Sequence, residues 1–132
     1  MDVPKVGPIS QMRIQIRQHG SSEFIPGRSG QTERRGDLIA WDPQIEGVLC
    51  GECTMNQSGD HGGERHLDGD EVLYLISGSI RVVLMDGTDT IEVPVQTGEA
   101  ILVPREVWHR IVVDEPAKFL FIGGGRTEIR LA

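Results

Sequence analysis

The sequence predicts an all-β domain of the sandwich or barrel type, and three observations lead to this prediction. The chain has 132 residues, the length of one ordinary domain. Seventeen glycines and seven prolines divide it into short pieces, few of which are long enough for a helix. Between these breaks, residues alternate between apolar and polar or form short apolar runs, as in strands. We therefore expect a single β domain.

About nine short strands follow from this pattern, each bounded by a turn signal. The first, residues 12–17, alternates like a half-buried strand. The others are expected at residues 38–41, 48–55, 72–76, 80–85, 90–95, 100–103, 108–113 and 118–122. Turns are expected at residues 77–78, 86–87 and 114–116, and the glycines at 123–125 release a C-terminal tail.

The charge is unevenly distributed along the chain. Thirteen basic and twenty acidic residues give a net charge of −7, which argues against nucleic acid as a partner. Residues 1–35 contain six basic and three acidic residues, whereas residues 36–132 contain seven and seventeen. We therefore divide the chain into an N-terminal arm with one strand, residues 1–35, and a β-barrel, residues 36–132. The basic arm would lie across an acidic barrel or remain solvated.

Several classes of protein are excluded by composition. No apolar run approaches the roughly 20 residues that a membrane span requires, so no membrane partner is expected. The N-terminus lacks the apolar core of a signal peptide, which predicts a cytoplasmic location. Two cysteines do not make a disulfide framework.

The chemically informative segment is residues 59–71, which contain two histidines and five carboxylates. Such a charge density is unfavourable unless a cation or solvent relieves it. A solvated acidic loop is the simplest interpretation. However, Glu71 directly precedes the apolar run 72–76, and a carboxylate at the start of a buried strand needs a partner or a metal.

This segment resembles the first motif of the cupin family. That motif has a glycine, His-x-His, a glutamate after three or four residues, and a glycine after six more. Here Gly59 is followed by Glu64-Arg65-His66, then by Glu71 after four residues and by Gly78 after six.

A second segment resembles the second cupin motif, which has a glycine, five residues, Pro-x-Gly, two residues and a histidine. Here the segment runs from Gly98 through Pro104 to His109, and nineteen residues separate it from Gly78. The resemblance spans roughly residues 48–122. It implies a single-domain, cupin-like jelly-roll β-barrel that binds one divalent metal ion.

The most literal transfer of the family pattern gives His66, Glu71 and His109 as metal ligands. Two departures affect this set. Glu64 stands where the family has its first histidine, so Glu64 is either a fourth ligand or a general base beside the metal, with His61 as the alternative ligand. Glu106 stands at the glycine position of the second motif, which puts the local turn in question.

Two imidazoles with one or two carboxylates suit Fe, Mn, Ni or Zn and leave coordination positions open. Without a metal, His66 and Glu71 would simply pair. The family resemblance implies an enzyme of the dioxygenase, isomerase or lyase type that acts on a small organic metabolite. The alternative is a non-catalytic small-molecule-binding or regulatory module with a structural metal.

Strand alternation predicts which side chains surround the site. If Glu71 points inward, Leu73 and Leu75 should as well, and an inward His109 implies the same of Val107 and Ile111. The expected cavity is mostly aliphatic. The resemblance also implies a homodimer, in which strand 12–17 would bury its apolar stripe and protect its edge by exchange between subunits.

Overall fold

A computed structural model describes residues 3–27 and 30–131 of the chain. Within these ranges the chain forms eleven strands and no helix, which confirms the all-β prediction. The strands are β1 (Met12–Ile16), β2 (Ser22–Pro26), β3 (Gln31–Arg35), β4 (Leu38–Asp42), β5 (Val48–Met55), β6 (Gly63–His66), β7 (Glu71–Asp86), β8 (Asp89–Gln96), β9 (Ala100–Val103), β10 (Trp108–Gly123) and β11 (Thr127–Arg130). The described part of the chain contains no helix that could span a bilayer. The cytoplasmic location stays a prediction.

All eleven strands belong to one antiparallel sheet. Its main path runs β2-β1-β5-β10-β6-β11-β4-β3, and β7 pairs with β10, β8 and β9 beside this path. The longest ladder joins β7 to β10, which have 16 residues each. Because β10 also pairs with β5 and β6, it is the strand through which the two parts of the sheet are connected.

Two of the predicted turns are bends inside long strands. Residues 72–76 and 80–85 were expected as separate strands, but both belong to β7. Gly78, with φ +91°, lies at the bend, and a Cβ there would collide with the carbonyl oxygen of Pro116. The turn expected at residues 114–116 is a series of register shifts in β10. β7 and β10 bend at the same place, so they stay paired across Gly78 and residues 114–116. In a strand without such a partner, these turn residues would end the strand.

Four strands lie where the sequence pattern predicted none. The arm of residues 1–35 was expected to hold one strand, but the described part of it holds three, namely β1, β2 and β3; residues 1, 2, 28 and 29 lie outside the described residues. β3 is exposed throughout, so it lacks the apolar alternation by which strands are recognised. β6 lies in the acidic segment and β11 in the expected tail. The boundary between arm and barrel stays a prediction.

The hydrophobic core lies where β7 packs with β8, β9 and β10. Its members are apolar side chains that alternate along these strands, as expected for one buried face. They are Leu73, Leu75, Ile80, Val82, Val95, Val103, Ala117 and Phe119.

β1 turns its polar side inward. The alternation of residues 12–17 predicted that Met12, Ile14 and Ile16 would be buried, but Ile16 is exposed and Gln15 is buried. Both edges of β1 are paired within the chain, with β2 and β5. The edge that strand exchange was expected to protect is therefore already covered. Alternation identifies two faces of a strand but not which one faces a polar interior.

The core prediction can be tested with a matched pair of isoleucines. Ile80 is fully buried in the core cluster, whereas Ile91 on β8 is exposed. Ile80→Ala should lower the free energy of unfolding by about 2–5 kcal/mol, because it removes apolar contacts and leaves a cavity. Ile91→Ala should change it by about 0.5 kcal/mol or less. Urea unfolding of both variants measures this, and equal losses would contradict the described core.

Candidate metal centre

Four side chains from three strands converge inside the sheet. Glu64, His66, Glu71 and His109 each offer one ligand atom, and these atoms all lie within 4.8 Å of one another. Three of the residues are buried and Glu64 is half-buried. The structure thus brings together the four residues that the two motifs named, and their role as metal ligands stays a prediction.

The strand register explains this convergence. Glu64 and His66 are two residues apart on β6, so they share a face. Glu64 is the register partner of His109 on β10, which places these two side chains next to each other. Glu71 begins β7, where β10 approaches closely at Gly123. Gly123 has φ +125°, and a Cβ there would collide with the Asp70 carbonyl oxygen. Hence Gly123 permits the approach that positions Glu71.

Hydrogen bonds fix the orientation of both imidazoles. The hydroxyl of Thr127 donates to the carbonyl oxygen of Gly125 at 3.1 Å, so it accepts from Nδ1–H of His66 at 2.8 Å. Nδ1–H of His109 donates to the carbonyl oxygen of Val107 at 2.9 Å. In the neutral imidazole the other nitrogen, Nε2, then carries a lone pair. In both histidines Nε2 faces the two glutamates, as metal-ligating histidines usually require.

The centre requires a positive charge. Nε2 of His66 lies 3.0 Å from Oε2 of Glu71, and Nε2 of His109 lies 3.6 Å from Oε1 of both Glu64 and Glu71. Both Nε2 atoms are buried and lack a hydrogen-bond partner among the described residues when neutral. Lone pairs and carboxylates would then face each other in a poorly solvated place, which is unfavourable. Either a proton or a metal ion can supply the missing charge, and the donor set fits a divalent first-row ion.

Without a metal, protons supply part of this charge. Burial tends to lower the pKa of His109, but the nearby carboxylates of Glu64 and Glu71 outweigh burial and raise the pKa from 6.5 to about 10. Burial likewise tends to raise the pKa of Glu71, but the nearby imidazoles of His109 and His66 lower it from 4.5 to about 2. The metal-free centre is therefore an imidazolium held between carboxylates.

The two glutamates differ in exposure. The side chain of Glu64 is 29% exposed and that of Glu71 only 8%. His61, the alternative ligand, lines the same cavity but does not belong to the four-residue group. Its Nδ1 accepts a hydrogen bond from the amide of Gly63 at 3.0 Å. The geometry therefore favours Glu64 over His61 as the fourth member of the centre.

The turn of the second motif persists without its glycine. Glu106 has φ +67°, in the left-handed region that favours glycine. Its amide donates to the carbonyl oxygen of His66 at 2.8 Å, which ties the turn to β6. The substitution of glycine by Glu106 thus costs backbone strain but leaves His109 in position.

The centre lies in a cavity of about 280 Å³. This volume is near the lower end of ligand pockets, which span roughly 300–1,000 Å³. As alternation predicted, Leu73 and Ile111 line it, whereas Leu75 is buried in the core and Val107 is not among the lining residues. Aromatic and sulfur-containing side chains complete much of the wall, namely Trp41, Met55, Cys53, Phe119 and Phe121.

Two residues of the site were not recognised in the sequence. Thr127 orients His66, but a threonine in an expected tail gives no signal of such a role. Arg13 lines the cavity because β1 faces inward with its polar side.

Comparison with known proteins supports the motif assignment. The family model for the cupin domain matches residues 51–123, which contain all four members of the centre. No curated protein matches the sequence of this chain.

Solved structures share the fold. A cupin superfamily protein from Desulfitobacterium hafniense matches with a TM-score of 0.51 and 16% identity over 70% of this chain and 81% of that one. The oxalate decarboxylase of Lactobacillus farciminis, in complex with formate, matches with a TM-score of 0.54 and 17% identity over 77% of this chain and 33% of its own. The oxalate decarboxylase of Bacillus subtilis, described with Mn(II) centres, matches with a TM-score of 0.51 and 18% identity. The match covers 91% of this chain and 31% of that one. At these identities the likeness shows the fold alone, and the predicted cupin-like barrel is confirmed.

The charged centre predicts how the stability of the metal-free protein depends on pH. The pKa of Glu71 is lowered, so its contribution is present above about pH 4.5 and is lost as the pH falls towards 2. The pKa of His109 is raised, so its contribution is present below about pH 6.5 and is lost as the pH rises through 10. Thermal unfolding of chelator-treated protein should show both losses. His109→Gln should remove the difference between pH 6.5 and 10, and parallel profiles of the two proteins would contradict this.

Proposed function

Because this chain belongs to the cupin family, we propose that it is a metal-dependent enzyme that acts on a small organic acid bound inside its barrel. The observation that carries the proposal is the convergence of two buried Nε2 atoms and two carboxylates on one point, where a positive charge is required. A purely structural polar cluster would be expected to satisfy these atoms with hydrogen-bond donors from the chain. Here the chain supplies acceptors to the opposite ring nitrogens, Nδ1, and the described residues offer no hydrogen-bond partner to Nε2.

The four side chains of the centre would hold one divalent ion. His66, Glu71 and His109 are the more deeply buried ligands, and Glu64 is the fourth. Two carboxylates beside two imidazoles favour manganese or iron over copper. A bound ion of this kind would supply Lewis acidity, or oxygen activation if it is iron.

Within this proposal, Glu64 has a second role. Of the two carboxylates, Glu64 is the more exposed, so it is the one that a bound molecule can approach. It can therefore take a proton from the ligand or return one, as a general base does. Glu71 is held by both histidines and serves only to bind.

The type of reaction is left open among oxygenation, isomerisation and bond-breaking elimination. The fold hosts all of these and does not choose among them. The cavity favours a substrate of few atoms, because its volume is small and part of it faces the metal ligands. The alternative function is a binding module with a structural metal. Such a module would bind the small molecule without converting it.

The first test concerns the ligand set. Protein purified without chelators should contain about one first-row metal ion per chain by elemental analysis. Glu71→Gln and His66→Ala should lose most of it, because each change removes one of the three buried ligands. The matched control is His61→Gln, which changes a histidine of the same cavity outside the four-residue group. Loss of metal in His61→Gln with retention in Glu64→Gln would assign the fourth position to His61.

The same variants separate catalysis from binding. Turnover should be measured against a panel of small organic acids, with and without oxygen uptake. Glu64→Gln should retain much of its metal but lose about 100-fold or more in turnover, the usual contribution of a general base. Metal-loaded protein that binds an acid of the panel without converting it would favour the binding module.

We also propose that the chain forms a homodimer through the outer face of its sheet. Leu102 on β9 is 70% exposed. Its register partner is Val72 on β7, and Val72 is also the register partner of Ile122 on β10. Ile122 is in turn the partner of Cys50, and Cys50 of Ile14. Register partners share a face, so these side chains form one apolar row across five strands.

A second copy of the chain is the occupant that this row fits. A patch that is apolar throughout is complementary to itself about a twofold axis. Exposed apolar side chains continue on both sides of the row, namely Ile16, Val48, Tyr74 and Ile76. Burial of this face would give the apolar side of β1 the cover that it lacks within one chain.

Light scattering tests the dimer. The wild-type chain should have twice its monomer mass at micromolar concentration. Leu102→Glu should yield monomers, because it places a charge at the most exposed position of the apolar row. Ile91→Glu, at an exposed apolar position of β8 away from the row, should leave the dimer intact. A wild-type monomer, or a Leu102→Glu dimer, would contradict the proposed interface.

A further inference from the structure

Arg13 places a guanidinium group at the wall of the metal cavity. It lines the cavity together with Glu64, His66, Glu71 and His109. Its neighbour two residues on, Gln15, lies on the same side of β1 and is buried. Arg13 itself is half-buried, so its charge lies at the cavity wall rather than in the packed core.

Two aromatic rings hold this guanidinium. Its central carbon lies 4.9 Å from the ring centre of Phe121 on β10 and 5.7 Å from that of Trp41 on β4. Gly51 on β5 makes room for the arrangement, since a Cβ there would lie 2.5 Å from the ring of Phe121 and 3.3 Å from Cγ of Arg13. Contacts of this kind stabilise the cation and restrict its rotation.

Ring contacts leave the hydrogen-bonding capacity of Arg13 in place. The five N–H donors of a guanidinium lie in its plane, whereas aromatic rings contact its faces. The in-plane fork matches the two oxygens of a carboxylate, which makes arginine a favoured residue for bidentate recognition. A partner on one edge of the group still leaves donors on the other edges.

We propose that Arg13 recognises a carboxylate of the ligand while a second oxygen-bearing group of the same molecule faces the four-residue centre. The inference rests on the proposed function, and it names the substrate class as a small acid with two anionic or oxygen-donor ends. β1 lies outside residues 51–123, so this element of recognition comes from the N-terminal arm. The small cavity limits the separation between the two ends.

Matched ligands and variants test the proposal. The ligands are the linear dicarboxylates from oxalate to glutarate, each paired with the monocarboxylate of equal chain length. Their affinities are measured by calorimetry on protein loaded with Mn(II). The variants are Arg13→Gln and Arg13→Lys, with Arg130→Gln as the control. Arg130 also stacks on a tryptophan, with its guanidinium carbon 3.9 Å from the ring of Trp108, but it does not line the cavity.

In the wild-type protein, the best dicarboxylate should bind at least about tenfold more tightly than its monocarboxylate, the effect of one charge-assisted pair. Arg13→Gln should abolish this preference and leave Mn(II) affinity unchanged. Arg13→Lys should retain part of it, because lysine keeps the charge but lacks the fork. Arg130→Gln should retain all of it. A preference that survives in Arg13→Gln, or that is absent from the wild-type protein, would overturn the proposal.

A second arm separates this proposal from the metal proposal. In metal-free protein labelled with ¹⁵N, butyrate should shift the Nε–H resonance of Arg13, and Arg13→Gln should weaken butyrate binding at least about fivefold. If neither Mn(II) nor Fe(II) binds, the proposed function fails, and this arm still decides the role of Arg13. If Mn(II) binds and butyrate leaves the Arg13 resonance unmoved, the proposal for Arg13 fails alone.

Discussion

Two imidazole lone pairs and two carboxylates meet at one buried point, and the arrangement is favourable only when a positive charge lies among them. The surrounding structure maintains this geometry. Thr127 and the carbonyl of Val107 fix the opposite ring nitrogens, so the histidines cannot turn their lone pairs away. The β6–β10 register sets Glu64 beside His109, and the close approach at Gly123 brings Glu71 to them. Strand pairing thus determines the chemistry of the centre.

The two motifs in the sequence named His66, Glu71 and His109 and left the fourth member open between Glu64 and His61, because motif spacing does not depend on how strands are packed. Strand existence was also predictable wherever apolar alternation or an apolar run is present, as in β5 and β9. β6 and β11 were not predictable, since the sequence pattern indicates an acidic loop at β6 and a C-terminal tail at β11. Arg13 was missed for another reason. Alternation in β1 defines two faces, and only the packed sheet shows that the polar face lines a cavity.

The departures from the family pattern have different physical effects. Glu106 accepts a left-handed backbone in place of glycine, so the turn keeps its shape at a local cost of about 1–2 kcal/mol. Glu64 replaces an imidazole by a carboxylate, which changes the charge of the centre rather than its shape. Spacing preserved the geometry in both cases. The spacing of residues in the motifs could not show that Glu106 strains the backbone or that Glu64 adds a negative charge to the centre, because both effects depend on residue type.

The attachment of β1 has a consequence for the dynamics of the cavity. Its ladder with β5 contains three register pairs, whereas the ladder between β5 and β10 contains seven. Segments held by few backbone hydrogen bonds open locally at lower free energy than the core. The β1–β2 hairpin is therefore expected to separate from the sheet before β7 or β10 does. Since Arg13 belongs to that hairpin, a ligand held by it should slow hydrogen exchange at the amides of β1 and leave exchange in β7 unchanged.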